Sequence, residues 1–228
     1  VGVVQHIRWR LAQSLEWRWW ESYLRHQSPA DYLENKKRYW LKVMETMGWK
    51  PLPNARVADV GCGPAGVFIA LHDRQQVTAL DPLLERYEDL PIFSRANYPT
   101  VRFLPRMLEG TLDLAPFKQL YCFNAINHVK DWDAALDALT SMAESGTSLL
   151  LSSDVHRHRW LLPLFRALPG DALHPQQHLA GDYREALQLR GWRIDREVVM
   201  RTERIFEYRI WKCTFTAAPP PPPRPGAA

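Results

Sequence analysis

An acid stands two residues ahead of a glycine-rich turn in "RVADVGCGPAGVFIALHDRQQVTALDP", residues 56–82, where Asp59 precedes Gly61, Gly63 and Gly66 in the spacing G-x-G-x-x-G. Glycines so spaced after a β-rich run let the chain turn tightly and bring its N–H groups up to a ligand. An acid roughly twenty residues further on, here Asp81, suits the hydroxyls of a ribose. The glycines alone fit NAD, FAD and S-adenosylmethionine equally, and Asp59 separates them. A dinucleotide brings a pyrophosphate to this loop, where a carboxylate at the end of the first strand meets like charge in a partly desolvated site. S-adenosylmethionine brings an ammonium and a sulfonium and no phosphate, so the acid attracts it. The residues therefore favour a cationic adenosine cofactor. The alternatives are an NAD(P)- or flavin-dependent oxidoreductase and a non-catalytic S-adenosylmethionine-binding partner of another protein.

Such a loop needs a sheet to carry it. From Arg56 onward, short β-rich runs alternate with helical ones, which predicts βαβ units and a largely parallel sheet. The strands are "RVADV", "VTALD", "VRFL", "LYCFNAI" and "TSLLLSS". Between the last two, "DWDAALDALTSMAESG" reads as an amphipathic helix with Ala135, Leu136, Leu139 and Met142 inward and Gly146 at its end. "GDYREALQLRG" gives another helix, closed by Gly191, and "WRIDREVVM" with "RIFEYRIWKCTFT" can pair as an antiparallel hairpin. Residues 1–50 read as two aromatic-rich helices. The first carries Leu11, Leu15, Trp19 and Tyr23; the second opens at Ser28-Pro29 with Asp31 as a capping-box acid, buries Leu33, Trp40, Val43, Met44 and Met47, and stops at Gly48. The tail "AAPPPPPRPGAA" can form neither helix nor ladder. The expected organisation is a helical lid over 1–50, a cofactor-binding core over 51–216 and a Pro-rich tail over 217–228.

Composition bounds the class without naming a function. The chain has 228 residues, 46% hydrophobic and 24% charged, as expected of an ordinary globular protein. Its 29 basic residues are interspersed with 25 acidic ones, so the net charge of +4 describes a mixed solvated surface rather than a polyanion-binding stripe. Cys62, Cys122 and Cys213 form no C-x-x-C pair and no even framework, which fits reduced thiols in the cytoplasm. No export signal and no membrane-length apolar run is visible, since His6, Arg8 and Arg10 interrupt the first apolar stretch.

In this order and spacing the motifs resemble those of the class I S-adenosylmethionine-dependent methyltransferases, particularly the small-molecule type, from about Arg56 to Phe215. "VADVGCGPAG" resembles the first motif of that family, "VTALDP" the second, "RFLPRMLEG" the third, and "CFNAINHVKDW" the stretch after the fourth strand. The resemblance implies a Rossmann-like, doubly wound α/β fold: a mostly parallel seven-stranded sheet with a C-terminal antiparallel hairpin and an N-terminal helical lid. It implies S-adenosyl-L-methionine as cofactor, held by Asp59, Gly61, Cys62 and Gly63 in the loop. Asp81 with Pro82 then lies at the ribose, Leu108 and Glu109 beside the adenine, and Asn124 and Ala125 after the fourth strand.

The acceptor side is read from chemistry. A sulfonium donor is already activated, so the protein aligns the acceptor, excludes water and, for an O–H or N–H⁺ acceptor, removes a proton. His128, after the fourth strand at the carboxyl edge of the sheet, is the candidate base; a residue merely bonded to backbone at a helix start is the alternative. His174 and His178, in "DALHPQQHLAGDY", and Trp20, within the cluster Trp17, Trp19, Trp20 and Trp40, are candidates for contact with a flat apolar small-molecule acceptor; a solvated loop and core packing are the bland readings. His156 and His158 with His174 and His178 lack the cysteine or acid cluster expected of a metal site, so no metal is expected. After the fourth strand the chain reads Asn124-Ala125-Ile126-Asn127 rather than an Asn/Asp-Pro-Pro-aromatic tetrapeptide, and no RNA module accompanies the core, which disfavours a nucleic-acid partner.

Overall fold

The structure, a computed structural model, describes residues 28–110, 113–114, 116–163 and 176–216. The first expected helix with Trp17, Trp19 and Trp20, the candidate His174 and the Pro-rich tail lie outside the described residues. Within them the order is α1 (Pro29–Thr46), β1 (Arg56–Val60), α2 (Phe68–Leu71), β2 (Gln76–Leu80), α3 (Leu84–Tyr87), β3 (Arg102–Leu104), β4 (Phe117–Phe123), α4 (Trp132–Ser141), β5 (Ala143–His156), α5 (Ala180–Leu189), β6 (Trp192–Thr202) and β7 (Phe206–Phe215), with single 3₁₀ turns at Arg95–Asn97 and Arg159–Leu161.

These strands form one seven-stranded sheet in the order β3-β2-β1-β4-β5-β7-β6. β1 pairs in parallel with β2 and β4, and β2 with β3; β4 and β5 also run parallel. β7 enters antiparallel between β5 and β6, which confirms the expected hairpin. The strand order reverses at β1 and β4, so a crevice opens where their carboxyl ends diverge.

Both faces of the sheet are covered, which is why its central strands are apolar on both sides. Val57, Tyr121, Phe123, Leu150 and Ile210 face the layer made by α1, α2 and α3. Ala58, Val60, Leu120, Cys122, Leu149 and Leu151 face α4 and α5. Helix α1 belongs to this packing, since Tyr32, Trp40, Val43 and Met44 are buried in the same cluster as Val57 and Phe68. The three cysteines are free and buried.

Three local readings are corrected. Ser28 stands at the N-cap of α1 and Asp31 in its first turn, but the Ser28 side chain makes no capping bond, so the capping box does not form. Gly146 does not end α4. The helix stops at Ser141, β5 begins at Ala143, and Gly146, at φ +87°, lies in a register irregularity where Phe117 and Gln119 of β4 meet Ala143 and Ser148. The helix expected after the glycine loop is the single turn α2, Phe68–Leu71. With so little helix there, α1 supplies much of the cover on that side.

Two tryptophans fix the chain before β1. At the amino-terminal side of the sheet, Trp49 Nε1 donates to the Tyr121 hydroxyl at 2.9 Å, and the Gln119 side chain takes the Leu52 N–H at 2.9 Å while giving to the Lys50 carbonyl at 3.0 Å. Near the other edge, Trp40 stacks on Phe123 with centroids 4.8 Å apart, and its Nε1 donates to the carbonyl of Ala65 in the glycine loop at 3.0 Å. A Trp40→Phe variant loses that bond and leaves the Ala65 carbonyl short of a donor. We expect about 1–3 kcal/mol of lost stability in urea unfolding.

Candidate functional site

The site is built on the turn that leaves β1. Gly61 at φ +63° and Gly63 at φ +58° occupy the left-handed region that glycine enters without steric cost. The N–H groups of Gly61 and Cys62 both donate to the carbonyl of Leu80, at 2.7 and 3.1 Å, so the loop is pinned to the end of β2. A Cβ on Gly61 would stand 2.1 Å from the Cβ of Ala125, the residue by which the chain leaves β4. A Cβ on Gly63 would meet nothing within 4 Å. Gly61 is therefore required by the protein itself, whereas Gly63 faces open space.

Asp59 lies beneath this loop and is buried. Its Oδ2 accepts the N–H of Phe68 at 2.9 Å, and a Cβ on Gly66 would come within 2.5 Å of the same oxygen. The first amide of α2 is occupied by the protein's own carboxylate. A pyrophosphate there meets the unfavourable field of that carboxylate, which counts against the NAD or flavin reading.

Asp81, just past β2, is also buried and ties the loop from the other side. Its Oδ2 accepts from Gly63 N–H at 3.0 Å and its Oδ1 from Leu83 N–H at 2.8 Å. The Tyr87 side chain gives this carboxylate a third hydrogen bond, which leaves it acceptor capacity for a further donor. Pro82 follows on the surface.

The other predicted residues fall at the same edge of the sheet with different surroundings. Asn124, at φ +49°, directs its N–H to the Ser152 hydroxyl at 2.9 Å and carbonyl at 3.1 Å, and its Oδ1 accepts from Asn127 Nδ2 at 3.3 Å. Leu108 is buried on the α4 side, packed with Val60 and Leu80. The Glu109 carboxylate accepts the N–H of Lys130, and that of Asp131 at 3.3 Å, and so braces the entry to α4, where Asp131 caps Ala134 N–H at 3.0 Å. His128 sits half-buried in the turn after β4, its N–H bonded to the Ala125 carbonyl at 3.0 Å.

The histidines do not converge. His178 stacks on Trp132 with centroids 3.9 Å apart, and its Nδ1 lies 3.8 Å from Asp182. Buried His156 pairs through Nε2 with Gln177, and His158 Nε2 contacts the Arg204 carbonyl at 3.2 Å. Among the described residues no three His, Cys, Asp or Glu side chains are placed to hold a metal. No helix among them is long and apolar enough to cross a membrane.

The sequence reading missed one group of residues. The Ser152 hydroxyl that receives Asn124 also bonds the Tyr208 hydroxyl at 2.8 Å, and Tyr208 bonds Tyr39 of α1. The available signal was the pair Ser152-Ser153 closing an apolar strand that is buried on both sides.

Burial raises the pKa of both aspartates, Asp59 to about 7 and Asp81 to about 6, against the lowering effect of their amide donors. The proximity of Asp81 adds to the rise at Asp59. No salt bridge relieves either one among the described residues. This fits a cationic ligand: two buried carboxylates hold the loop without a salt bridge, and an ammonium or sulfonium near them would supply the missing counter-charge.

The comparisons agree with this chemistry. A family model described as a methyltransferase domain matches residues 32–197. No curated protein matches the chain. Among solved structures, the YcgJ protein of Bacillus subtilis superposes with a TM-score of 0.64 at 12% identity, over 80% of this chain and 100% of that one. Geranyl diphosphate C-methyltransferase from Streptomyces coelicolor A3(2), crystallised with S-adenosyl-L-homocysteine, gives 0.59 at 12% identity over 78% and 79%. Magnesium protoporphyrin IX methyltransferase from Synechocystis PCC 6803 gives 0.55 at 18% identity over 81% and 83%. The chain belongs to the class I S-adenosylmethionine-dependent methyltransferases, with S-adenosylmethionine as its methyl donor.

Two expected outcomes test this geometry. Gly61→Ala should destabilise the fold by more than Gly63→Ala, because only the former drives a methyl into Ala125; paired thermal unfolding curves measure the difference. For the carboxylates, a folded-state pKa above the unfolded value means that the folded chain binds more protons between about pH 4 and 7. Stability of the ligand-free protein should therefore fall as pH rises through that window and level off above it. Asp59→Asn should flatten the slope, read from urea midpoints at pH 5 and pH 8.

Proposed function

We propose that this methyltransferase acts on a small-molecule acceptor, delivering the methyl group to an O, N, C or S atom at the carboxyl edge of β1 and β4. The single observation that carries the cofactor half of this reading is the pair of buried carboxylates, Asp59 and Asp81, that bind the backbone of the glycine loop with no salt bridge to either among the described residues. For the acceptor half, support comes from the solved neighbours, which are named for geranyl diphosphate and magnesium protoporphyrin IX, both small molecules.

When bound, S-adenosylmethionine supplies a methyl group already activated on sulfur. The protein's part is then orientation, exclusion of water and handling of a proton. Asp81 would take the ribose hydroxyls on the acceptor sites its carboxylate keeps free. Asp59 would hold the loop amide at Phe68 and lend negative potential beneath the charged end of the cofactor. Gly61, Cys62, Gly63 and Pro82 would shape the loop walls, Leu108 and Glu109 the adenine side, and Asn124 and Ala125 the far side of the crevice. His128 would remove the proton of an O–H or N–H⁺ acceptor from its turn after β4. His178, with Trp20 and His174 of the segments outside the described residues, would line the acceptor side beneath a lid formed by the N-terminal helices. The buried free thiols support a reducing, cytoplasmic setting.

Calorimetry with S-adenosylhomocysteine and with NADH, followed by labelled methyl transfer into a metabolite extract, tests the reading. Binding of NADH in place of S-adenosylhomocysteine would sink it. Asp81→Ala should weaken S-adenosylhomocysteine by about 2–4 kcal/mol, since bonds to a charged acceptor are lost and water must replace them. Its unfolding transition checks that the loop survives without its two amide contacts.

A further inference from the structure

The turn that leaves β4 holds a strained backbone beside the crevice. Asn124 stands at φ +49°, in the left-handed region that glycine enters freely and that asparagine is among the few other residues to visit. The next residue, Ala125, is the one whose Cβ leaves no room for a Cβ on Gly61. A change in the backbone at Asn124 therefore moves Ala125 against the glycine loop, which Asp59 and Asp81 hold from their own side.

Two side chains from the neighbouring strands secure that backbone. The Asn124 N–H is shared between the carbonyl of Ser152, at 3.1 Å, and its hydroxyl, at 2.9 Å. Ser152 is fully buried in β5, and its hydroxyl also bonds the Tyr208 hydroxyl of β7 at 2.8 Å. A serine hydroxyl alone can turn among its staggered rotamers. The bond to Tyr208 fixes the one that meets Asn124. In the β5–β7 ladder Ser152 lies opposite Ile210, and Tyr208 opposite Asp154, so the contact is a diagonal one that needs a long side chain. Burial raises the Tyr208 pKa well above its ordinary value, so this residue serves as a hydroxyl and not as a base.

We propose that Ser152 and Tyr208 are positioning residues for methyl transfer: they hold the left-handed turn at Asn124 and, through Ala125, set the glycine loop in the form that takes the cofactor. The cofactor part rests on the function proposed above. Tyr208→Phe keeps the ring and removes the hydroxyl. Ser152→Ala removes the link between Tyr208 and Asn124 but leaves the bond from Tyr208 to Tyr39 in place. The two variants should therefore act alike, and combining them should add little to Ser152→Ala alone. Glycine adopts the φ of +49° without steric cost, so Asn124→Gly should make the support from Ser152 and Tyr208 dispensable.

The test uses the full chain and two measurements. Calorimetry reads the affinity for S-adenosylhomocysteine; hydrogen exchange of the ligand-free protein, followed by mass spectrometry, compares the amides of residues 124–128 with those of β1. Tyr208→Phe and Ser152→Ala should each weaken S-adenosylhomocysteine about three- to tenfold and quicken exchange at 124–128 while β1 stays protected. In the Asn124→Gly background, whatever the affinity of that variant itself, adding Tyr208→Phe should cost less than about twofold. A loss of packing alone would cost the same in both backgrounds. An equal cost of Tyr208→Phe in the two backgrounds, or a Tyr208→Phe variant unchanged in affinity and exchange, overturns the proposal. If Ser152→Ala does not fold, Tyr208→Phe with and without Asn124→Gly still decides. Failure of wild type to bind S-adenosylhomocysteine counts against the proposed function alone, because exchange at 124–128 in the free protein still shows whether Tyr208 holds the turn.

Discussion

The contact between the glycine loop and the exit of β4 constrains everything built around it. Gly61 and Ala125 approach so closely that a single added methyl cannot be placed between them. This approach sets the glycine loop against the exit of β4 just where the strand order reverses. Two carboxylates then hold the loop in that position. Asp59 takes the amide of Phe68 from below, and Asp81 takes that of Gly63 from β2. The arrangement concentrates negative charge in a dry place, at a cost of desolvation visible in the raised pKa values. Such a cost is offset where a positively charged ligand lies close by, which is why the proposed function gives these residues both the shaping of the loop and the choice of its occupant.

The remainder of the sheet serves as a frame for this junction. Apolar strands covered on both faces give a rigid edge, and α1 lies across that edge through Trp40. Because α2 is a single turn, the layer on this side is completed by a helix from outside the βαβ succession. The position of the loop thus depends on a segment that precedes the first strand.

Much of the frame was legible in the residues. The run "RVADV" coincides with β1, the alternating C-terminal runs form the expected hairpin, and Asp59, Gly61, Gly63 and Asp81 lie together at one edge. What misled was local chemistry with more than one solution. Gly146 follows a helical pattern and suits a helix stop, yet strand pairing with Phe117 begins before it and the glycine is spent on an irregularity in register. "PAGVFIAL" looks helical from its glycine turn onward, but only the single turn Phe68–Leu71 forms. Glu109 follows from its motif alone, and the bracing of the Lys130 and Asp131 amides by its carboxylate is a second role that no spacing announces. The chain from Asn124 to Tyr39 joins four separate elements, and no spacing within one segment announces such a connection.

The three buried thiols have a consequence for how the protein opens. Cys62 lies in the glycine loop, Cys122 near the carboxyl end of β4 and Cys213 in β7. Burial pushes the Cys122 thiol up to about 12 and raises the other two as well, so each stays an unreactive thiol while it remains enclosed. An alkylating reagent can therefore reach Cys62 when the loop alone lifts, but Cys122 and Cys213 only when the sheet parts. The mass gained by the chain, one adduct or three, distinguishes a breathing of the glycine loop from loss of the whole fold.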